Sequence, residues 1–425
     1  MIKILKYGEI SENEIFIRTS QAANVGEAVA SIIADVRENG DSALFAYCEK
    51  FDKVRLDSLE VTEAEKKEAL ASVEPEFLRI LNEAKDNITE FHSRQKREGF
   101  EFSRKDGSLL GQRVIPLDRV GLYVPGGTAA YPSTVLMDAI PAHIAGVGEI
   151  IMVTPPGKDG KVSKYILAAA VIAGVGRIFK IGGAQAVAAL AYGTESVPKV
   201  DKIAGPGNAY VAEAKKQVFG AVAIDMIAGP SEILVVADGK SNARFVAADL
   251  LSQAEHDKLA SAVLVTDSMA LAERVQQELE AQIPQLERAE IARASIDSNG
   301  KIIVAPDIEK AVEISNRLAP EHLELCVDDP FELLKRVRHA GSVFLGRYNP
   351  EALGDYLAGP NHTLPTLGTA RFSSPLSVDD FVKKTQYTWF PKEALAKLAP
   401  DVAYFAGKEG LTGHAKSATV RFEEE

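Results

Sequence analysis

The sequence predicts an α/β fold: two Rossmann-like parallel-sheet domains, a short N-terminal arm and a small helical C-terminal tail domain. Three observations carry that prediction. Between Val120 and Met226, short β-rich runs alternate with alanine-rich helical runs. Between Glu232 and Gly346 a second series does the same. Alternation of this length means parallel sheets, because parallel neighbours need a crossover long enough to return across the sheet. Third, glycine clusters recur at the strand ends of the first series, where open α/β sheets take their ligands.

Residues 1–20 read as an arm of mixed polarity. From about 21 to 115 the pattern is helical: NVGEAVASIIADVRENG repeats Val29, Ile32, Ile33 and Val36 at helical spacing, with a stop expected at Gly40. Two charged amphipathic helices are expected to follow. The first strand series is 120–124, 149–154, 177–182, 202–205 and 221–226. The second is 232–238, 261–267, 301–306, 322–327 and 342–346. The alternation ends near 376. The expected division is therefore an arm (1–20), a discontinuous domain (21–122 with 231–375), an inserted domain (123–230) and a tail (376–425).

Composition narrows the function. The chain has 425 residues and a net charge of −12, which argues against nucleic acid or an anionic membrane as the main partner. No stretch approaches the roughly 18 consecutive apolar residues of a membrane span. Lys3, Lys6, Glu9 and Glu12 interrupt the start, so a secretory signal is not expected. Cys48 and Cys326 are far apart and form no CxxC pair, so no disulfide framework is expected and a reducing cytoplasm is the simplest location.

Four glycine clusters stand out: Pro125-Gly126-Gly127, Gly182-Gly183-Ala184-Gln185, Gly205-Pro206-Gly207-Asn208 and Ala228-Gly229-Pro230-Ser231. Any one is a tight turn by default; a series of them reads as loops that let backbone approach a ligand closely. None is a GxGxxG, so the residues alone leave the cofactor open. Four polar clusters carry histidine. Gln253 and His256, three apart at a helix end, share one face. Glu321-His322 precedes the strand LELCV and reads either as a turn or as two general bases. Asp355 and His362 lie seven apart in a Gly/Pro/Asn-rich stretch, and Glu409 and His414 flank glycines near the end. Imidazole, carboxylate and amide donors suit zinc, but ligands so dispersed make spacing a weak metal signal.

The stretches YVPGG, GGAQAVAALAYGTE, GPGNAYVAEAK, AGPSE, SQAEH, NRLAPEHLEL, GDYLAGPNHTLPT and EGLTGHAKSATVR run in order from about Val120 to Arg421. Together they resemble the histidinol dehydrogenase family. The resemblance implies zinc ligands at Gln253, His256, Asp355 and His414. It implies that Glu321 activates water and that His322 takes the alcohol proton. Substrate contacts are implied at Ser231, Glu409 and His322 together with the zinc ligands, and NAD contacts at Tyr123, Gln185 and Asn208. The implied reaction is oxidation of L-histidinol to L-histidine through the aldehyde, with two NAD reduced, in a cytoplasmic homodimer whose tail completes the partner's site. A related zinc- and NAD-dependent enzyme acting on another polyol, such as a dihydroxy sulfonate, is the alternative. The other route from aldehyde to acid uses a cysteine thiohemiacetal. Cys326 lies four residues beyond His322, roughly 13 Å along a strand, and Cys48 falls in an amphipathic helix, so water is the expected nucleophile.

Overall fold

The computed structural model describes residues 1–18, 24–126 and 131–423. Gly127 of the first glycine cluster and the expected boundary at 20/21 fall outside them. The contacts divide the chain into two units, 1–95 with 117–381 and 96–116 with 382–425. The strands are β1 (Lys3–Lys6), β2 (Phe100–Ser103), β3 (Leu109–Pro116), β4 (Arg119–Tyr123), β5 (Glu149–Val153), β6 (Arg177–Phe179) and β7 (Lys202–Ala204). They continue with β8 (Ala223–Ile224), β9 (Glu232–Ala237), β10 (Ser261–Thr266), β11 (Lys301–Val304), β12 (His322–Cys326), β13 (Ser342–Leu345) and β14 (Val382–Trp389).

The first unit holds two parallel sheets, ordered β6-β5-β4-β7-β8 and β1-β11-β10-β9-β12-β13. Both are covered by helices on each face, so their central strands are largely apolar, as buried parallel strands tend to be. Side chains alternate between two cores: Ile233, Val235 and Ala237 enter one, Leu234 and Val236 the other. In the smaller sheet, Ile150 and Met152 face one core while Ile151 and Val153 face its opposite.

All ten expected strands are present within a few residues. The helical path from Gly26 breaks at Gly40, as expected: that residue takes φ 52° and ψ −131°, a conformation glycine tolerates, and a second helical stretch runs on to Tyr47. The region before the first series differs from expectation in one respect. Residues 100–103 and 109–116 are strands, not helix. The grouping also differs. The helices between residues 26 and 93, assigned from sequence to the domain of the second strand series, share cores with the smaller sheet: Val29, Ile33 and Leu44 with Phe179, and Leu81 and Ile88 with Leu122.

The second unit is an antiparallel sheet, β14-β3-β2, with helices Lys392–Lys408 and Thr412–Thr419. The tail is helical, as expected, beyond a strand the sequence reading did not contain. VKKTQYTW is mostly exposed and offers no apolar run to mark it.

A buried ion pair fixes one glycine turn at the carboxyl end of β7. Lys215 pairs with Asp225, and both side chains are within 2 % of full burial. Lys215 Nζ donates to the Gly205 carbonyl at 3.0 Å, and the Gly205 N–H donates to Asp225 Oδ2 at 2.8 Å. Gly205 has φ 113°, which side-chain-bearing residues rarely adopt. The pair therefore grips both polar groups of a residue held in a demanding conformation. Replacing Lys215 with Met strands a buried carboxylate, and urea unfolding should show a loss of about 3–5 kcal/mol. Adding Asp225→Asn should recover most of it; a single-variant loss below about 1 kcal/mol would rule out the pair as the clamp.

Candidate active site

Residues expected to bind the cofactor gather at the carboxyl edge of the smaller sheet. Tyr123 is the last residue of β4, and its buried hydroxyl accepts from the Gly183 N–H at 3.0 Å. Gln185 is buried on the helix that begins at Gly183, beyond β6. Asn208, exposed beyond β7, caps helix Ala209–Val218 by accepting from the N–H groups of Tyr210 and Val211 at 3.0 and 3.2 Å. The positive ends of helix dipoles beside glycine turns are suited to an anionic pyrophosphate.

The histidine and carboxylate residues converge at the opposite kind of edge, the amino ends of β9 and β12. Position follows from the chain. Helix Ile308–Leu318 ends at Ala319, which adopts φ 48°, and Pro320 redirects the backbone into β12. Glu321 and His322 follow at once. Val246, Leu250 and Gln253 continue one buried face of helix Ala243–Ala254, and His256 lies just past its end. Helix Glu351–Tyr356 carries Glu351 and Asp355 one turn apart.

These segments meet within hydrogen-bonding range. Glu321 Oε2 accepts from the Glu232 N–H at 2.8 Å. His322 Nδ1 lies 3.1 Å from the Glu232 carbonyl. A carbonyl only accepts, so Nδ1 carries the proton and Nε2 carries the lone pair. His256 Nδ1 is 3.3 Å from Ser231 Oγ. His322 Nε2 is 3.6 Å from Glu351 Oε1, and His362 Nδ1 is 3.4 Å from Asp355 Oδ1. Ligating atoms of His322, Glu351 and Asp355 all lie within 4.8 Å of one another.

Burial dominates the electrostatics. It pushes the Glu321 carboxyl well above the usual range; the Glu232 N–H opposes this, and the nearby charges of Glu232, Asp355 and Glu351 add to it. Burial lowers His322 to about 4 against the pull of Asp355, and it also lowers His256. Glu351 is raised to about 8, by burial and then by the charge of Asp355. Burial raises Asp355 too, but the hydrogen bond and charge of His362, with His322 and His256, hold it at about 2. The cluster therefore presents neutral imidazoles beside an ionised carboxylate, the states in which both ligate metal.

Gln253 supplies the test of fit for a cation. Its side chain is buried, it approaches the Glu351 carboxylate, and neither amide atom completes a well-formed hydrogen bond. An orphaned amide oxygen beside imidazole and carboxylate donors suits zinc. Helix Ala243–Ala254 also points its carboxyl end here, where the helix dipole favours a positive charge.

Of the residues expected at the site, Ser231, Gln253, His256, Glu321, His322 and Asp355 are thus brought together. Glu409 and His414 belong to the second unit, where Glu409 ends helix Lys392–Lys408, His414 lies on the following helix, and both are exposed. Glu351 and Glu232 were missed. Glu351 had a readable signal, its i, i+4 spacing from Asp355; Glu232 looked like the ordinary first residue of a strand. The residues expected to bind NAD thus lie at strand carboxyl ends of the smaller sheet, and Glu321 and His322 lie at a strand amino end of the larger one, as their place before LELCV implied.

Comparison with known proteins agrees with this arrangement. The family model described as histidinol dehydrogenase matches residues 17–422. A relative of that name from Bacillus cereus is 54 % identical over 424 residues, covering 100 % of this chain and 96 % of its own. One from Clostridium acetobutylicum is 53 % identical, with 100 % and 99 % covered. The crystal structure of histidinol dehydrogenase from Elizabethkingia anophelis superposes with a TM-score of 0.93 at 38 % identity, covering 99 % of this chain and 98 % of that one. A match that spans both sheets, the convergent histidines and the tail leaves one conclusion: the chain belongs to the histidinol dehydrogenase family.

Proposed function

We propose that this protein oxidises L-histidinol to L-histidine through histidinal, with Glu321 and His322 as its two proton acceptors. The observation that carries the proposal is the shared anchoring of those two side chains on the backbone of one residue. Gln253, His256 and Asp355 would hold zinc, with His414 as a further ligand; Glu351, whose oxygen lies in the same group as Asp355, is an added candidate. Zinc when bound supplies a fixed anchor for substrate nitrogen atoms. Tyr123, Gln185 and Asn208 would hold NAD, which when bound is the hydride acceptor.

The chain's own residues then have separable tasks. His322 Nδ1 spends its proton on the Glu232 carbonyl, so Nε2 receives the substrate hydroxyl proton as hydride leaves, giving the aldehyde. Glu321, made a stronger base by burial, takes a proton from water as it adds to that aldehyde. The hydrated aldehyde loses a second hydride and a proton to become the acid. Cysteine is unsuited to the second step. Cys48 and Cys326 are both buried, and burial lifts their thiols to about 12 and further, so neither supplies thiolate.

We further propose a homodimer with shared sites. In the second unit Phe100, Phe102, Trp389, Tyr404 and Phe405 are each more than half exposed. Apolar side chains gathered in so small a unit call for a covering surface, and a two-fold partner supplies one without a new chain. Glu409 and His414, exposed on the same unit, would be presented to the partner's site.

Four outcomes are expected. Purified protein should release two NADH per histidinol. Glu321→Gln should impair oxidation of histidinal more than that of histidinol, whereas His322→Ala should impair the alcohol step; single-turnover profiles identical for both variants would reject the division of roles. Removing metal with a chelator should abolish turnover and leave far-ultraviolet circular dichroism unchanged, since a chain of this size has ample core without it; unfolding on chelation would mark a structural ion instead. Finally, His256→Ala and His414→Ala proteins refolded together should regain about a quarter of wild-type activity if sites are shared, because half the dimers are hybrids with one intact site. Activity no higher than that of the separate variants would show that the tail serves its own subunit.

A further inference from the structure

Glu232 holds both proposed bases through its backbone. Its N–H donates to Glu321 Oε2 at 2.8 Å and its carbonyl accepts from His322 Nδ1 at 3.1 Å. The orientation of one peptide segment therefore sets the direction of the Glu321 carboxylate and the tautomer of His322. Glu232 is the first residue of β9, where a strand end would otherwise fray, so something must hold it.

The Glu232 side chain answers that need. It is buried and its carboxylate pairs with Arg18, which reaches it from the N-terminal segment 214 residues away in sequence. The same guanidinium turns its other nitrogen, Nη2, to the Leu318 carbonyl and, at 3.5 Å, to that of Ala319. Those carbonyls sit three and two residues ahead of Glu321, at the left-handed turn that starts β12. One planar donor group thus joins the beginnings of β9 and β12. Lysine, a single point charge, cannot fork between two segments in this way.

We propose that Arg18 and Glu232 are positioning residues for the reaction. The Arg18 guanidinium locks the two strand ends so that Glu232 can present its peptide groups to Glu321 and His322. Neither side chain reacts. The assignment rests on the reading of Glu321 and His322 as the bases, and the test separates the two.

Six variants are compared with wild type: Arg18→Met, Arg18→Lys, Arg18→Ala, Arg18→Met with Glu232→Gln, Glu321→Gln and His322→Ala. Each is assayed from histidinol and from histidinal, alongside its thermal midpoint. Misplacing a base by about 1 Å costs on the order of 100-fold, so Arg18→Met should lose roughly that in kcat for both half-reactions. KM for histidinol should stay within about threefold, because contacts made equally in ground and transition states are untouched. Arg18→Lys should fall between. The double variant carries no buried unpaired charge, so its thermal midpoint should return toward wild type while kcat stays low. Arg18→Ala supplemented with guanidinium ion should regain part of its kcat, which also covers the case in which Arg18→Met folds poorly.

Wild-type kcat in Arg18→Met would overturn the proposal, as would full recovery of kcat together with the thermal midpoint in the double variant, since that pattern belongs to a purely structural pair. Near-normal turnover in Glu321→Gln and His322→Ala would instead sink the assignment of the bases and the positioning role with it. Loss in those two variants, with Arg18→Met unaffected, removes the positioning role alone.

Discussion

The two edges of a parallel sheet are electrically unlike, and the proposed chemistry uses one of each. Following helices start at the carboxyl edge, so their unsatisfied N–H groups gather there; the same helices end at the amino edge, where unsatisfied carbonyls gather. The smaller sheet offers its carboxyl edge, with Tyr123, Gly183 and Asn208. The larger offers its amino edge, with Glu232, His322 and the end of helix Ala243–Ala254. On the proposed reading NAD is an anion and zinc a cation, so each would meet the edge whose field suits it, with the ionised Asp355 adding to the field at the second.

Holding those edges in register falls to short connections. The segment 225–231 leaves β8 and enters β9, and the Gly229 N–H donates to Thr366 Oγ1 at 2.7 Å. Residues 361–363 do the rest. Asn361 Nδ2 donates to the Met137 carbonyl at 2.6 Å, Thr363 Oγ1 to Asp138 Oδ1 at 2.9 Å, and His362 Nε2 lies 3.3 Å from Thr134 Oγ1. These contacts tie the loop beyond Asp355 to helix Pro132–Ala145 of the smaller sheet. His362 belongs to both sides, since its other nitrogen faces Asp355. Buried polar links of this kind contribute little net stability, but they cost a good deal when half made, so they favour one relative placement over near alternatives.

What could be read from the sequence follows the strength of each physical signal. The two parallel sheets were legible because strands buried on both faces, such as EILVVA and SAVLVT, are apolar over most of their length and stand between helical periods. β1, β2, β3 and β14 were not. KILK is four residues with a lysine at each end, and β14 has mostly polar side chains on an exposed sheet, so their pairing comes from backbone contacts with strands remote in sequence. Gln253, His256, Glu321, His322 and Asp355 were nameable because unusual polar residues stood at element ends. Glu351 hid in a six-residue helix, and Glu232 hid because its contribution to the bases is made by its peptide groups, which every residue has. The carboxyl-end rule pointed to the first strand series alone, since it describes anions at helix N-termini and carries no information about a cation.

The same logic explains why the site tolerates so many acids in a dry place. Glu321, Glu351 and Asp355 are buried together, and burial alone works against ionising all three. Asp355 remains ionised because His362 stands against it, whereas Glu351 and Glu321 are pushed toward their neutral forms. A carboxyl held near its neutral form is a poor permanent charge and a good proton acceptor. Burial raises the proton affinity of Glu321 well above the usual carboxylate range, and the hydrogen bond from the Glu232 N–H opposes that rise. Arg18 acts one layer further out, offsetting the charge of Glu232 so that its backbone, and not its carboxylate, faces the bases.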